Sequence, residues 1–204
     1  MKKSNNISKG ASEFKDLFIH LLKGIYNTEH GILDSLPTMI EKATTHELKD
    51  TLKDHEIVTQ RQIIRLEKIF RTLGITSEKE SCLVMKTFDE VTQKIVKITK
   101  DGSMVRDAGL IVISQQIEHY EIATYGGLIQ FALAIEEYDI ADLLEQTLDE
   151  EEQADCELTH IGECHINIEA SDQNVEDEDV KESTSKSSSA NQTKKSSQPK
   201  DKVK

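Results

Sequence analysis

From Gly109 to Ile135 the chain reads GLIVISQQIEHYEIATYGGLIQFALAI, and in those 27 residues Glu118 and Glu121 carry the only formal charges. A helix that is apolar nearly all round is buried, and residues at i and i+3 share one of its faces. Similar interruptions recur elsewhere. Glu29 sits among Ile25, Ile32 and Leu33, and His55 falls between Leu52 and Thr59. Glu151 continues the line of Ile140, Leu144 and Leu148 toward Leu158 and Ile161, with Asp155 one turn further on. A buried carboxylate is costly unless protonated, paired or bound to metal. Lys and Arg, the natural partners, are missing between Gly109 and Cys164. Core carboxylates and an imidazole contributed by four helices are what a two-metal carboxylate site requires. Oxygen and imidazole donors suit iron or manganese, not a tetrahedral thiolate zinc site. Taken singly, each Glu also fits a boundary residue whose head reaches water, and His55 a hydrogen-bonded core histidine. The coincidence of the whole set favours metal.

Five helices must carry these residues. Helical spacing predicts a first helix over about Ser12–Ala43, with Ser12 as N-cap, a stripe that includes Phe14, Leu17, Phe18, Leu21 and Ile25, and a kink or new turn at Pro37. A second helix follows Thr45 and stops at Gly74. About thirty residues then precede the next long helix; they contain a shorter amphipathic segment, Leu83–Ile98, and a turn at Asp101-Gly102. Long helices over about Ser103–Ala134 and Glu137–Ile166 complete the set. Short links make neighbouring helices antiparallel, whereas a thirty-residue link lets the chain return along the bundle. The expected fold is therefore all-α: a ferritin-like four-helix bundle with a long crossover carrying a fifth, shorter helix.

Composition bounds the rest. The chain has 204 residues and a formal net charge of −13, a field that repels phosphate backbones, so nucleic acid is not an expected partner. No apolar run is long enough for a membrane span, and MKKSNNISKG lacks the apolar core of a secretory signal. Three cysteines without a CxxC pair suit a reducing cytoplasm. Two prolines and nine glycines supply too little turn chemistry for most β architectures. Residues 170–204 hold eight Ser, seven Lys, seven acids and no Leu, Ile or aromatic, so they are expected to form a disordered tail of balanced charge. Residues 1–11 are expected to be flexible, and 12–169 to form the one folded domain.

Other candidates carry less. Tyr26 shares the face of Glu29, and Tyr125 lies one turn beyond Glu121; either could donate an electron or hydrogen-bond a ligand, but aromatic core packing is the simpler role for both. His119 points about 100° away from Glu118 and reads as a residue that supports a ligand from behind or packs, not as a ligand itself. Cys156, His160 and Cys164, spaced by four with His165 next, share a face only loosely. No Walker loop, GxGxxG turn or GxSxG elbow occurs, so nucleotide hydrolysis and esterase chemistry have no support.

The segments LFIHLLKGIYNTEHGIL, DHEIVTQRQIIRLEKIF, VRDAGLIVISQQIEHYEIATYG and LLEQTLDEEEQAD, with Cys82 and Met85 in the crossover, resemble the YciE/YciF-like family of ferritin-like proteins over residues 12–166. The resemblance implies a five-helix homodimer associated with stress responses and a dinuclear metal site. Carried over by position, it supports Glu29, His55, Glu118, Glu121, Glu151 and Asp155 as ligands to two iron ions, with manganese as the alternative. Dioxygen or peroxide would be the small-molecule substrate. The chain departs from the pattern at Ile57, Val58 and Gln60, and it lacks the Glu-x-x-His signature: Ala154 stands three residues after Glu151, leaving Asp155 at i+4 as a substitute. One metal position could therefore be weak or empty. The competing expectation is a metal-free helical stress or scaffold protein with a hydrogen-bonded polar core.

Overall fold

The structure is a computed structural model that describes residues 4–79 and 82–172. It consists of α1 (Ser4–Lys42), α2 (His46–Leu73), α3 (Leu83–Ile98), α4 (Met104–Ala134) and α5 (Tyr138–Ile161), followed by a π-helical turn at Gly162–Ile166. Sequence signals mark most boundaries. The Thr45 hydroxyl accepts from the Leu48 N–H to start α2, Gly74 closes it, and the Ser103 hydroxyl accepts from the Arg106 N–H to start α4. Two boundaries differ from expectation. Helix α1 begins at Ser4, so Ser12 lies inside it and is not its cap, and Pro37 is accommodated within the continuous helix. The last helix changes at Gly162 into a π turn, and helical backbone then continues to Asp172, with Ala170 buried. From residue 173 onward the expected tail lies outside the described residues.

Helix α2 packs on α1 and α5, α4 packs on α5 and α1, and α3 lies across α1 and α4. The two hairpins α1–α2 and α4–α5 thus close a four-helix ring, with the crossover helix on its outside. This is the ferritin-like plan. Glycines let the crossover approach: a Cβ on Gly31 would stand 2.6 Å from Cγ of Met85, and one on Gly109 would stand 2.6 Å from Cγ2 of Ile95. Two apolar zones fill the bundle. One centres on Phe18, Leu22, Phe70, Tyr125 and Leu144, the other on Leu36, Leu48, Met85, Leu110 and Leu158. Leu17 and Leu21, expected in the stripe of the first helix, are exposed; Leu22 takes the buried position.

Polar staples fix the ends of the bundle. Arg106 is buried and donates to the Thr99 and Val96 carbonyls (2.8 and 3.2 Å), satisfying acceptors left open at the end of α3. Asp107, wholly buried, accepts from the Thr44 and Thr45 N–H groups (2.6 and 2.8 Å) and from the Thr45 hydroxyl (2.8 Å), tying the α1–α2 turn to α4. Asp107→Asn replaces one acceptor by a donor facing these N–H groups. It is expected to lower unfolding free energy by about 1.5–3 kcal/mol. Denaturant titration checks this; an unchanged midpoint would show that water replaces the staple.

Candidate metal centre

Helices α2, α4 and α5 bring four of the predicted side chains together. One possible ligand atom from each of His55, Glu118, Glu121 and Glu151 lies within 4.8 Å of the others, and all four residues are buried. Helical period accounts for the placement. Glu118 and Glu121 are one turn apart on the inward face of α4, and Glu151 follows Leu144 and Thr147 along the buried line of α5. Glu29 approaches from α1. It is fully buried, accepts a hydrogen bond from the Tyr125 hydroxyl, and its charge acts on Glu118 and Glu121. Each helix of the ring therefore supplies at least one of these groups.

Asp155 is held apart. Its side chain is 22% exposed and takes the Gln115 amide at 3.3 Å and His119 Nδ1 at 3.3 Å. Four residues of helix overshoot a full circle by about 40°, which turns it from Glu151 toward the flank of α4. Its charge still acts on Glu118. His119 is largely exposed and meets only this flank. Tyr26 and Tyr125 part ways: Tyr125 reaches Glu29, whereas Tyr26 packs edge-on against His30 and Phe70. His160 Nε2 lies 3.4 Å from the Cys164 thiol, but both cysteines of that helix are exposed, and no group of three ligands forms there among the described residues.

Burial dominates the electrostatics. It pushes the Glu118 carboxyl up to about 8, and it raises Glu29, Glu121 and Glu151 well above the ordinary range, with the neighbouring carboxylates adding to the shift. The His55 imidazole is lowered to about 4 by burial, so it is neutral at physiological pH. Its Nε2, 3.5 Å from Glu118 Oε1, therefore faces a carboxyl as a neutral ring and not as an ion-pair partner. The Glu118 and Glu151 carboxyls hydrogen-bond to each other, but His55 Nε2, Glu118 Oε2, both carboxyl oxygens of Glu121, Glu151 Oε2 and Glu29 Oε2 are left without a partner. Buried polar atoms are ordinarily satisfied; of the nine unpartnered ones among the described residues, three are His30 Nε2, Gln62 Oε1 and Ser114 Oγ, and the six named above lie in one cluster. A cation with hard oxygen and imidazole preferences would satisfy them together, so the residues present fit iron or manganese.

Sequence reasoning missed the frame around the cluster. Gln62, fully buried on α2, donates to Glu151 Oε1 at 2.6 Å and to Glu150 Oε2 at 3.2 Å. Arg65 grips both oxygens of Glu150 at 2.9 Å and donates to the Thr147 hydroxyl at 2.6 Å. One signal was available: Gln62 stands seven residues after His55, on the same helical face. Arg65 carried none, because its partners lie on another helix.

Two antiparallel hairpins, a long crossover and a buried polar core at mid-height define a ferritin-like bundle. The chain belongs to the DUF892 family, a domain of unknown function, whose profile matches residues 13–171. Protein YciF of Escherichia coli (strain K12) is 31% identical over 157 residues, which span 76% of this chain and 94% of that protein. The crystal structure of the E. coli stress protein YciF superposes with a TM-score of 0.71 at 30% identity, covering 76% of this chain and 97% of that one. YcfI from Rhodopseudomonas palustris gives 0.69 at 36% identity, over 72% and 92% of the two chains. No described helix is long and apolar enough to cross a membrane.

Proposed function

We propose that this chain, like the stress protein YciF, serves in a stress response, that it does so in the cytoplasm, and that its buried cluster holds two iron ions, or manganese, and handles iron(II) oxidation or peroxide. The observation that carries the reading is the set of unpartnered oxygens and the one imidazole nitrogen on four facing helices. Glu118, Glu121, Glu151 and His55 would hold the ions, with Glu29 alongside and Asp155 contributing charge from its flank. The four buried glutamates supply four negative charges when ionised, which matches two divalent cations. Bound ions of this kind supply one-electron redox capacity toward dioxygen or peroxide. Neutral His55 already has a free ring nitrogen to offer. Tyr125 holds the Glu29 carboxyl in position, and Gln62 does the same for Glu151. The family resemblance further supports a homodimer, which light scattering at twice the chain mass would check.

A metal-free scaffold is the competing reading. A core selected as a hydrogen-bonded network would satisfy its own atoms, and Glu121 has neither oxygen bonded. The deciding experiment is metal content on protein purified without chelators, followed by anaerobic iron(II) titration and exposure to air or peroxide. About two irons per chain, as in other dinuclear carboxylate bundles, is the expected result. About one would place the weakness at the position lacking the Glu-x-x-His imidazole. None, in folded protein that ignores added iron and manganese, overturns the proposal.

A further inference from the structure

A pocket of about 450 Å³ opens between α2 and α5 and ends on His55 and Glu118. That is many times the space a single water needs. His55 and Glu118, only 8% and 3% exposed, are among its lining residues, and behind that wall His55 Nε2 and Glu118 Oε2 are buried without hydrogen-bond partners. On the other flank of the same two residues, beside Met39, Met85 and Ser114, the space is only about 10 Å³. His55 and Glu118 thus border open space toward α2–α5 and almost none toward the crossover helix.

What keeps the pocket open is legible in the chain. Val58 and Ala154 line it, three residues after His55 and Glu151 respectively. Ala154 is the position where a Glu-x-x-His pattern begun at Glu151 would place an imidazole, and Val58 stands one turn after His55. Short apolar side chains there leave space where ligands would otherwise stand. The mouth carries Asp54, Asp149 and Glu157, all exposed, and Arg61 is the one cation among the described lining residues. Glu150 also lines the pocket, but its charge is compensated by Arg65. A cleft dominated by one sign of charge, with low-dielectric walls, concentrates ions of the opposite sign.

We propose that this pocket is the route by which a divalent transition-metal cation reaches the buried centre. Asp54, Asp149 and Glu157 attract the hydrated ion, Val58 and Ala154 leave it room to pass, and His55 with Glu118 receives it. This rests on the metal-binding reading above, and the test separates the two. Cobalt(II) binding to the full-length metal-free protein is followed by stopped-flow absorbance at several salt concentrations. The triple variant Asp54→Asn, Asp149→Asn, Glu157→Gln is expected to load about tenfold or more slowly at low salt, with a flattened salt dependence and unchanged final stoichiometry. Ala154→Phe, which fills the pocket, is expected to slow loading at every salt concentration with the same final stoichiometry. The surface triple variant decides the matter if Ala154→Phe does not fold. Wild-type protein that binds cobalt(II) at the same rate as the triple variant overturns the route and leaves the metal centre intact. Wild-type protein that binds no cobalt(II), iron(II) or manganese(II) overturns both.

Discussion

Replacing Glu118 and Glu151 together by alanine is expected to abolish metal binding while the helical spectrum survives. The two side chains come from the two helices of the α4–α5 hairpin and hydrogen-bond to each other, so their loss removes donors from both of those helices at once. His55, Glu121 and Glu29 then remain, too few to hold two ions. The fold should tolerate the change. Gln62, which loses Glu151, keeps Glu150 as a partner, and the Arg65 clamp between α2 and α5 is untouched. Iron content measured on the purified variant, against wild type loaded the same way, gives the answer; unchanged content sinks the site assignment.

The reverse substitution separates a metal site from tolerated core polarity. Glu121 is fully buried and neither of its oxygens has a partner. In metal-free protein, Glu121→Leu removes an unsatisfied polar group and orphans no donor. Replacing buried ionic groups with apolar ones of similar volume commonly stabilises by about 1–4 kcal/mol. The metal-free variant is therefore expected to melt above metal-free wild type. With iron added the order should invert, because a ligand that binds only the folded state stabilises it, and the variant holds that ligand poorly. Equal responses to iron would show that Glu121 plays no part in binding.

The second large effect is the pH dependence of the metal-free protein. Folded Glu118 keeps its proton up to about pH 8, whereas in the unfolded chain the group releases it near 4.5. Between those values the folded state binds more protons, so stability is greatest at low pH and is lost as pH rises through 8. Glu29, Glu121 and Glu151 shift in the same direction and add to the trend. His55 acts oppositely, but only between its folded value of about 4 and its ordinary 6.5; there the unfolded chain is the better proton binder and stability rises with pH. Above 6.5 only the carboxyls contribute. Thermal midpoints of metal-free protein should therefore fall from pH 6.5 to beyond 8, as the unfolding free energy drops by at most about 1.4 kcal/mol per pH unit for each retained proton. Glu118→Gln with Glu121→Gln should flatten the curve. Bound metal should flatten it too, since it displaces the same protons, and metal affinity should rise over the same range. A metal-free midpoint that climbs with pH in this window would mean that the carboxyls are ionised and satisfied by some other means.

The helix plan was written in local chemistry. Thr45 and Gly74 stand at the boundaries assigned to them, Ser103, expected to open the fourth helix, caps it, and α3 spans Leu83–Ile98 as its periodicity requires. Loop lengths alone distinguished two hairpins and a crossover from other four-helix orders. The interrupted stripes, Glu29 in an apolar face and a Glu118/Glu121 pair in an otherwise uncharged helix, located the buried polar layer. They do so because period 3.6 converts sequence spacing into shared faces. That is information within one helix.

Everything between helices was decided only by packing. Asp155 and Glu151 differ by four residues on one helix, yet one meets His119 and Gln115 on the flank and the other enters the cluster. A 40° turn matters only once the neighbour is fixed. The partners of Asp107 lie 62 and 63 residues away, and the Arg65–Glu150 clamp joins positions 85 apart. No spacing rule reaches that far. Leu22 displaced Leu17 and Leu21 from the core because the rotation of α1 answers to α2 and α4, not to its own pattern. The sequence determined which helices form and which faces are unusual. Tertiary packing decided which polar groups meet, which stay unsatisfied, and on which side the cluster opens, because those depend on the relative position of surfaces that no single helix contains.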